Sequence, residues 1–586
     1  MTVCGIAGIW SNGMSLIERR AAVALMLGDL AVRGPDCSVI VDQDGLSLGF
    51  CRLTITGEPG MVQPIRSGPI LAAVNGEIYN YGQLWDELPR DLRSTDWPTS
   101  DCALVAPLAI QYGENFVEKL DGIFAGVVAD SRLGTLRLFR DQVGVKPLYY
   151  LMFHDGLAFA STVSALAPLS NQKVEPQVMA RYLSDGYVAG PESLIAGIRR
   201  VPAGSVMTFE DPRGRPQTRR WFSFEEIGSP YSVRDVVARA VQSELPVAGP
   251  TVTALSGGID STIVTLLAAR EGADPIALTV DYGIADPDLV TAKKVAKDHH
   301  LRHDLVEVSA NDYLEELVGG WRFDMPLADP NAIALNRLCR RARELGSRVL
   351  LVGDGSDEVF CGYSYHLGVA GRSLRHRLAA WRFTSMTDDG DRAFAAMMSG
   401  QRIRRPFRPS FADPMRVVQR LDLENWLTPN LMEKADRFGM ADQVEIRPPF
   451  LRKAVLRTGL GLPITGKVDQ AEHLGKVALR TAFRDLLPVY VLDRPKQGFP
   501  CPLSSWLRGE MGQQLCADAT WSVEGSWDVR LERDLWSAHI AGHRDWGQQL
   551  WRLAVARSWW QQINRPRAAL EPSHFAAERA GDGWAR

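Results

Sequence analysis

The spacing of apolar and polar positions changes once along the chain. In the first two hundred residues, short apolar runs bounded by turn residues fall at Leu46–Leu53, Ile70–Val74, Ile123–Val128, Thr135–Phe139 and Leu157–Ala160. Such runs predict β-strands, and helical spacing is confined to Ile17–Leu30 and Ser100–Tyr112. Many short strands with few helices predict an α+β domain, an antiparallel β-sandwich flanked by helices. From about residue 230 the elements alternate. Helices are predicted at Ser232–Leu245, Ser261–Arg270, Leu289–His299 and Asn331–Leu345, and strands at Thr251–Leu255, Ile276–Val280 and Arg348–Val352. That alternation is the mark of an α/β domain with a doubly wound parallel sheet. The last part is helical, and the tryptophan-rich stretch Leu531–Trp560 reads as core. The expected division is a first domain over 1–210, a Pro- and Gly-rich linker over 211–229, a second domain over 230–563 and a frayed polar tail over 564–586.

Composition narrows the function classes. The chain has 586 residues, 46% hydrophobic and 23% charged, which excludes disorder, collagen-like repeats and a coiled-coil rod. Basic and acidic side chains number 66 and 69, a formal net charge of −3 that favours neither nucleic acid nor an anionic membrane as partner. No apolar run reaches the ~18–20 residues that span a bilayer, and the start lacks the basic and apolar stretches of a signal peptide. The eight cysteines are scattered, without a CxxC pair. A reduced, cytoplasmic protein is expected. His299, His300 and His303 cluster without a second ligand group at metal-like spacing, and read as polar helix-end residues.

Two clusters carry the chemistry of the second half. Ser256-Gly257-Gly258-Ile259-Asp260-Ser261 lies between a predicted strand and a predicted helix. Two glycines allow close backbone approach, and a helix N-terminus offers free N–H groups to a phosphate. Ser256 and Ser261 can add hydroxyl donors, and Asp260 can hold Mg²⁺. The spacing is neither that of a Walker A loop nor that of a dinucleotide fingerprint. Gly353-Asp354-Gly355-Ser356-Asp357-Glu358 follows a second strand. Three carboxylates at a buried strand end are costly unless they meet a cation or ligand. Together the clusters predict a nucleotide–magnesium site.

SGGIDS with GDGSDEVFCGY resembles the ATP-pyrophosphatase half of the asparagine synthetase family. The resemblance implies that Leu255, Val280, Val352 and Gly353 frame adenosine, and that Ser256, Gly257, Gly258 and Ser261 cradle pyrophosphate. It implies Asp260 and Asp357 as magnesium ligands. Asp354 stands where the family more often has Glu, beside the forming acyl-adenylate. Downstream, Arg447-Pro448-Pro449-Phe450-Leu451 resembles the family's R-V-P-F-L-D segment, with Arg452 reversing the charge of the Asp. Lys476–Arg480 and Arg494–Phe499 also match, and Lys496 is the cation expected to neutralise charge developing on the phosphates.

The first half is similar to the family's glutaminase domain, one of the N-terminal-nucleophile amidotransferases. The motifs are Cys4–Ile9, Arg33–Asp36, Arg52–Ile55, Asn75–Asn80, Ser100-Asp101 and Arg140–Tyr150. The resemblance implies Cys4 as the nucleophile and Asn75 with the Gly76 N–H as oxyanion hole. It implies Arg52 on the glutamine carboxylate, with Asp101 and Glu77 on its ammonium. Arg33, Asp36, Arg140, Asp141 and Lys146 are expected to form supporting ion pairs. In such enzymes the nucleophile's own α-amine is the base, yet Met1-Thr2-Val3 precede Cys4 here. As written, the glutaminase is expected to be inactive. The intact glutamine-binding set favours a product that begins at Cys4, through initiation at Val3 or proteolytic trimming.

The implied activity is ATP-dependent amidation of a carboxylate, by default L-aspartate, with ammonia carried from glutamine through an internal channel. Two rivals stay open: a same-fold enzyme that amidates another acid or closes a ring, and a non-hydrolysing glutamine-binding regulatory protein. The family also suggests a homodimer.

Overall fold

The computed structural model describes residues 2–55, 63–93, 100–225, 228, 231–320, 324–370, 389–401, 413–494 and 501–564. Lys496, the residues beyond 564 in the expected tail and most of the Arg-rich run 401–408 lie outside these. The first sheet system contains β1 (Thr2–Ser11), β2 (Cys37–Gln43), β3 (Leu46–Thr54), β4 (Ile65–Ser67), β5 (Ile70–Ile78), β6 (Gly122–Asp130), β7 (Thr135–Arg140), β8 (Tyr149–Phe153), β9 (Gly156–Ala160), β10 (Ile198–Arg200), β11 (Ser205–Phe209) and β12 (Gln217–Arg220). The hydrogen-bonded orders β2-β3-β1-β9-β8-β10 and β4-β5-β6-β7-β11-β12 make two antiparallel layers, as expected. They meet where Thr2 lies opposite Gly76. Alternate side chains fill the space between them, with Ile6, Leu48, Phe50 and Phe159 from one layer and Leu71, Val127, Leu138 and Met207 from the other. The helix Leu16–Leu30, opened by a Ser15–Glu18 capping box, buries Val23, Met26, Leu27 and Leu30.

The linker expectation is corrected at one point. Gln217–Arg220 pairs with β11 and closes the edge of the first sheet. Its side chains are polar and largely exposed, so no apolar alternation marks the strand.

The second sheet is parallel, with β13 (Val252–Ala254), β14 (Ile276–Asp281), β15 (Arg302–Glu307), β16 (Val349–Leu351) and β17 (Glu445–Arg447) in the order β15-β14-β13-β16-β17. The chain winds outward from β13 to β15 and then crosses back to β16. The gap between β13 and β16 is therefore the topological switch point, where ligands bind in such sheets. Both glycine clusters begin just beyond these two strands. At the C-terminal end, Trp536, Trp551 and Trp559 are fully buried in the helices Val529–Ile540 and Gly547–Ile563, as the core reading required.

Charged residues are buried where the two units meet. Arg33 makes a forked pair with Asp436 at 2.6 and 3.0 Å, and Lys146 reaches Glu445 at 3.3 Å. Arg447 meets Glu77 at 2.5 Å. Arg452, the charge-reversed position, pairs with Asp121 at 2.6 Å and lies over the Tyr79 ring. Arg140 and Asp141 form no ion pair with each other. Arg140 donates to the carbonyls of Lys146, Val201 and Gly144, and Asp141 accepts the N–H groups of Phe124, Val143, Val145 and Lys146.

Candidate active sites

The first site sits where the two antiparallel layers join. Cys4 lies opposite Arg52 in the β1–β3 register, and both are buried. The Cys4 N–H donates to Asn75 Oδ1 at 2.9 Å. That leaves Asn75 Nδ2, buried and without a partner, as an available donor on the same side chain. Gly76 has φ +132°, and a Cβ there would stand 2.0 Å from the Ile123 carbonyl. Only glycine fits this position. Asp101 is placed by a short helix whose cap is the Ser100 hydroxyl, which accepts the Cys102 N–H at 3.2 Å. Asp101 Oδ2 in turn accepts the Ile78 N–H at 2.8 Å. The Arg33 Nε donates to the Cys4 carbonyl at 3.4 Å and so ties down the strand that carries Cys4.

Glu77 is corrected. Expected at the glutamine ammonium, its carboxyl instead faces Arg447, which also bonds Glu445 at 2.8 Å. Burial, with Glu445 and Asp101 adding like charge, pushes Glu77 well above the carboxylate range despite Arg447. Burial would raise Glu445 too, but Lys146 and Arg447 hold it below its ordinary value.

The second site is a cavity of about 580 Å³ at the switch point, a size suited to a small-molecule ligand. Its wall includes Ser256, Gly257, Gly258, Asp260 and Ser261 from the loop after β13, and Val352, Gly353, Asp354 and Asp357 from the loop after β16. Gly257 takes φ +78°, where a Cβ would stand 2.5 Å from the Asp288 carbonyl. A Cβ on Gly353 would meet Asp260 Cβ at 2.8 Å, so the two loops pack glycine against carboxylate. The Ser256 and Ser261 hydroxyls lie 3.0 Å apart at the start of the helix Ile259–Arg270. Leu255 and Val280, expected around adenosine, are buried in the sheet and do not line the cavity. Ala254, Leu335 and Leu338 supply apolar wall instead.

Lys476 went unassigned in the sequence reading. It takes φ +56° ahead of the helix Val477–Ala482, and its ammonium stands 2.5 Å from Asp260 Oδ2 and 2.6 Å from Asp357 Oδ1. Asp260 Oδ1 also accepts the Ser356 hydroxyl at 2.6 Å. Arg480 and Arg494 line the same wall, Arg494 held by Asp288 and Thr291. The two aspartates already converge on one cation. Hard oxygen donors of this kind suit Mg²⁺, which takes one or two carboxylates and completes its shell with phosphates and water. No cluster of three or more metal-binding side chains occurs among the described residues. His303 is instead bonded to the Thr279 hydroxyl at 2.8 Å.

Comparison with known proteins decides the family. The asparagine synthase family matches residues 232–562, and the glutamine amidotransferase domain matches residues 3–222. The chain belongs to the asparagine synthase family. A putative asparagine synthetase (glutamine-hydrolyzing) of Mycobacterium bovis is 29% identical, over 90% of this chain and 91% of its own. The asparagine synthetase (glutamine-hydrolyzing) 1 of Bacillus subtilis is 26% identical, over 95% of this chain and 96% of its own. Among solved structures, a glutamine phosphoribosylpyrophosphate amidotransferase of B. subtilis aligns with 60% of this chain and 81% of its own at 17% identity. Its TM-score of 0.29 is too low to carry an argument. The two matched segments coincide with the two sheets, so each candidate site lies within its own matched segment.

Proposed function

We propose that this asparagine synthase family protein transfers the amide nitrogen of glutamine to the side-chain carboxylate of L-aspartate, giving L-asparagine, AMP and pyrophosphate. The observation that carries the reading is the convergence of Asp260 and Asp357 on Lys476 beside the Ser256–Ser261 loop, on the same chain as the Cys4–Asn75 pair. At the first site the Cys4 thiolate attacks the glutamine amide, and the oxyanion is received by Asn75 Nδ2 and the Gly76 N–H. Arg52 holds the glutamine carboxylate and Asp101 its ammonium. As the C–N bond of the tetrahedral adduct breaks, ammonia leaves and a thioester with Cys4 forms, and water then hydrolyses that thioester to free glutamate and restore the thiol.

At the second site the serine hydroxyls and glycine N–H groups of residues 256–261 hold the β and γ phosphates. Asp260 and Asp357 would hold Mg²⁺, which would supply charge neutralisation to those phosphates. Lys476, with Arg480 and Arg494 on the same wall, opposes the charge that builds as pyrophosphate leaves. Asp354 accepts the proton that ammonia loses as it attacks the acyl-adenylate. The domain division is taken at about residue 222, at the start of the Phe222–Ser232 connection, and the resident compartment as cytoplasmic. The test is ATP–pyrophosphate exchange with purified full-length protein. Exchange that requires aspartate, and asparagine formed from ammonia or glutamine, supports the reading, and exchange with no acid refutes it.

A further inference from the structure

A second, smaller pocket of about 200 Å³ opens where the two domains meet, and its wall shares no residue with the nucleotide cavity. The first domain contributes Glu118, the Arg219-Arg220 end of β12 and the Trp221-Phe222 pair that follows it. The helix Lys453–Gly461 contributes Lys453 and Arg457, one turn apart. Of the charged side chains on the wall, four are cations and one is a carboxylate. Like charges four residues apart weaken a helix, so the Lys453–Arg457 pair opposes the structure that carries it. Glu118 is committed to Arg219 at 2.6 Å, and Arg220 is answered from outside the wall by Glu424 at 2.7 Å. Lys453 is placed differently. Its ammonium donates to the Glu118 carbonyl at 3.0 Å and stands 5.4 Å from the centre of the Trp221 ring, neither of which is an anion. That bond uses one of three N–H groups. Burial pushes the ammonium down to about 8; Asp121 and Glu118 favour its charge, and Arg457 and Arg452 oppose it.

A largely buried ammonium with N–H groups to spare, next to a cation that repels it, is stabilised by an anion placed between the two. We propose that this pocket binds a phosphate-class oxyanion, free phosphate or pyrophosphate, across the junction of the two domains. Three features choose that class. The excess of cations on the wall favours a multiply charged anion over a single carboxylate. Each guanidinium carries five N–H groups in a fork that matches phosphate oxygens, and the glutamates use only part of those on Arg219 and Arg220. Trp221 and Phe222 are buried, with Lys453 over one ring and Arg457 over the other, so neither offers a platform to a nucleobase. The volume, about a third of that of the nucleotide cavity, also suits a small anion rather than a nucleotide. An anion held by Arg219 and Lys453 together ties one domain to the other. Arg452, the residue before Lys453, already ties the same junction through Asp121. The site does not depend on the amidation reading.

The experiment is calorimetric titration of the full-length protein at low salt, without nucleotide or Mg²⁺, with inorganic phosphate, with pyrophosphate and with acetate as a charge control. Both phosphates should bind saturably, and acetate at least about tenfold more weakly. Lys453→Met should weaken phosphate binding by about tenfold or more, the scale of a hydrogen bond to a charged group, and Lys453→Arg should restore most of it. Lys476→Met, on the wall of the nucleotide cavity, should leave this binding within about threefold. The tighter of the two phosphates identifies the source of the occupant. Bound phosphate favours the charged form of Lys453, so at a pH just above 8 binding should draw in protons, seen as a heat that changes with the buffer's ionisation enthalpy. Lys453→Arg, charged throughout, should bind without that uptake. Unchanged phosphate binding in Lys453→Met assigns the anion to the nucleotide cavity and overturns the inference. So does acetate binding as tightly as phosphate, or no saturable binding of either phosphate to the wild type. The wild-type affinities and proton uptake need no variant, so a misfolded mutant does not blunt the test.

Discussion

Replacing Lys476 by methionine keeps most of the side-chain stem and removes the charge that now joins Asp260 and Asp357, the two aspartates proposed to hold Mg²⁺. In the wild type one nitrogen stands 2.5 Å from Asp260 Oδ2 and 2.6 Å from Asp357 Oδ1. The two oxygens are therefore no more than about 5 Å apart, and at an effective dielectric of about 20 their mutual repulsion is about 3 kcal/mol. The side chains are 14% and 15% exposed, so water screens this only in part. Two consequences follow. The empty protein should lose a few kcal/mol of stability, and Mg²⁺, no longer competing with an ammonium, should bind about 100-fold tighter, since about 1.4 kcal/mol is a factor of ten. The assay is a Mg²⁺ titration without nucleotide, read as the shift in melting temperature and checked by calorimetry. ATP–pyrophosphate exchange should meanwhile fall by about 100-fold or more, as it does when a charge-stabilising donor is lost. Equal or weaker Mg²⁺ binding in Lys476→Met would refute the claim that the lysine and the metal share one position.

Arg447→Met leaves Glu77 and Glu445 buried without their shared cation; breaking such a group costs about 3–5 kcal/mol, and adding Glu77→Gln should recover part of the lost melting temperature. Equal melting of single and double variants would show that the pair is not coupled. Cys4→Ala should abolish glutamate release and glutamine-dependent synthesis while sparing ammonia-dependent synthesis, and Asn75→Ala should lower glutaminase kcat by about 100- to 1,000-fold. A preparation whose first residue is Cys4 should release glutamate, whereas one retaining Met1-Thr2-Val3 should not; mass spectrometry beside a glutaminase assay decides. Burial pushes Glu244 up to about 8 despite Arg452 and Arg447. A carboxyl raised in the folded state is protonated there while the unfolded chain has already ionised, so its contribution to stability declines as pH rises from about 4.5 to about 8. Glu244→Gln should therefore gain melting temperature relative to wild type as pH is raised through that window, and a pH-independent difference would contradict this.

What could be read from the sequence was what is contiguous in it. The Ser256–Ser261 and Gly353–Glu358 loops each carry their glycines, hydroxyls and carboxylates within six residues. The strand–helix alternation around them fixed the sheet edge on which both lie. Strands β3, β5, β6, β7 and β9 were legible because each carries a short apolar run bounded by turn residues. Elements without that contrast were missed. β15 is largely polar on an edge, β12 has no buried side, and β17 consists of Glu445, Ile446 and Arg447, whose charges pair with each other and with Lys146 and Glu77 of the first domain. Lys476 was visible as part of a motif, but its backbone conformation, which turns the ammonium between two aspartates, has no local signature. The Arg33–Asp436 pair spans 403 residues and leaves no mark in any window.

Glu77 shows why neighbourhood in sequence misleads at this interface. It follows Gly76 directly and so looked like part of the glutamine pocket, yet its carboxyl is committed to Arg447 across the domain boundary. The Arg447 carbonyl accepts the Val352 N–H at 3.1 Å, one residue before the Gly353–Glu358 loop. Three adjacent links thus run from the glycine expected in the oxyanion hole, through a buried ion pair, to the loop that holds Asp354 and Asp357. A surface ion pair contributes little and is easily exchanged. A buried one must keep its partner, because separating the charges leaves each without water or counter-charge. The cost of misalignment, rather than any gain in net stability, is what makes Glu77, Arg447 and Glu445 suited to fixing one site against the other. An enzyme that makes ammonia at one site and uses it at another depends on that alignment.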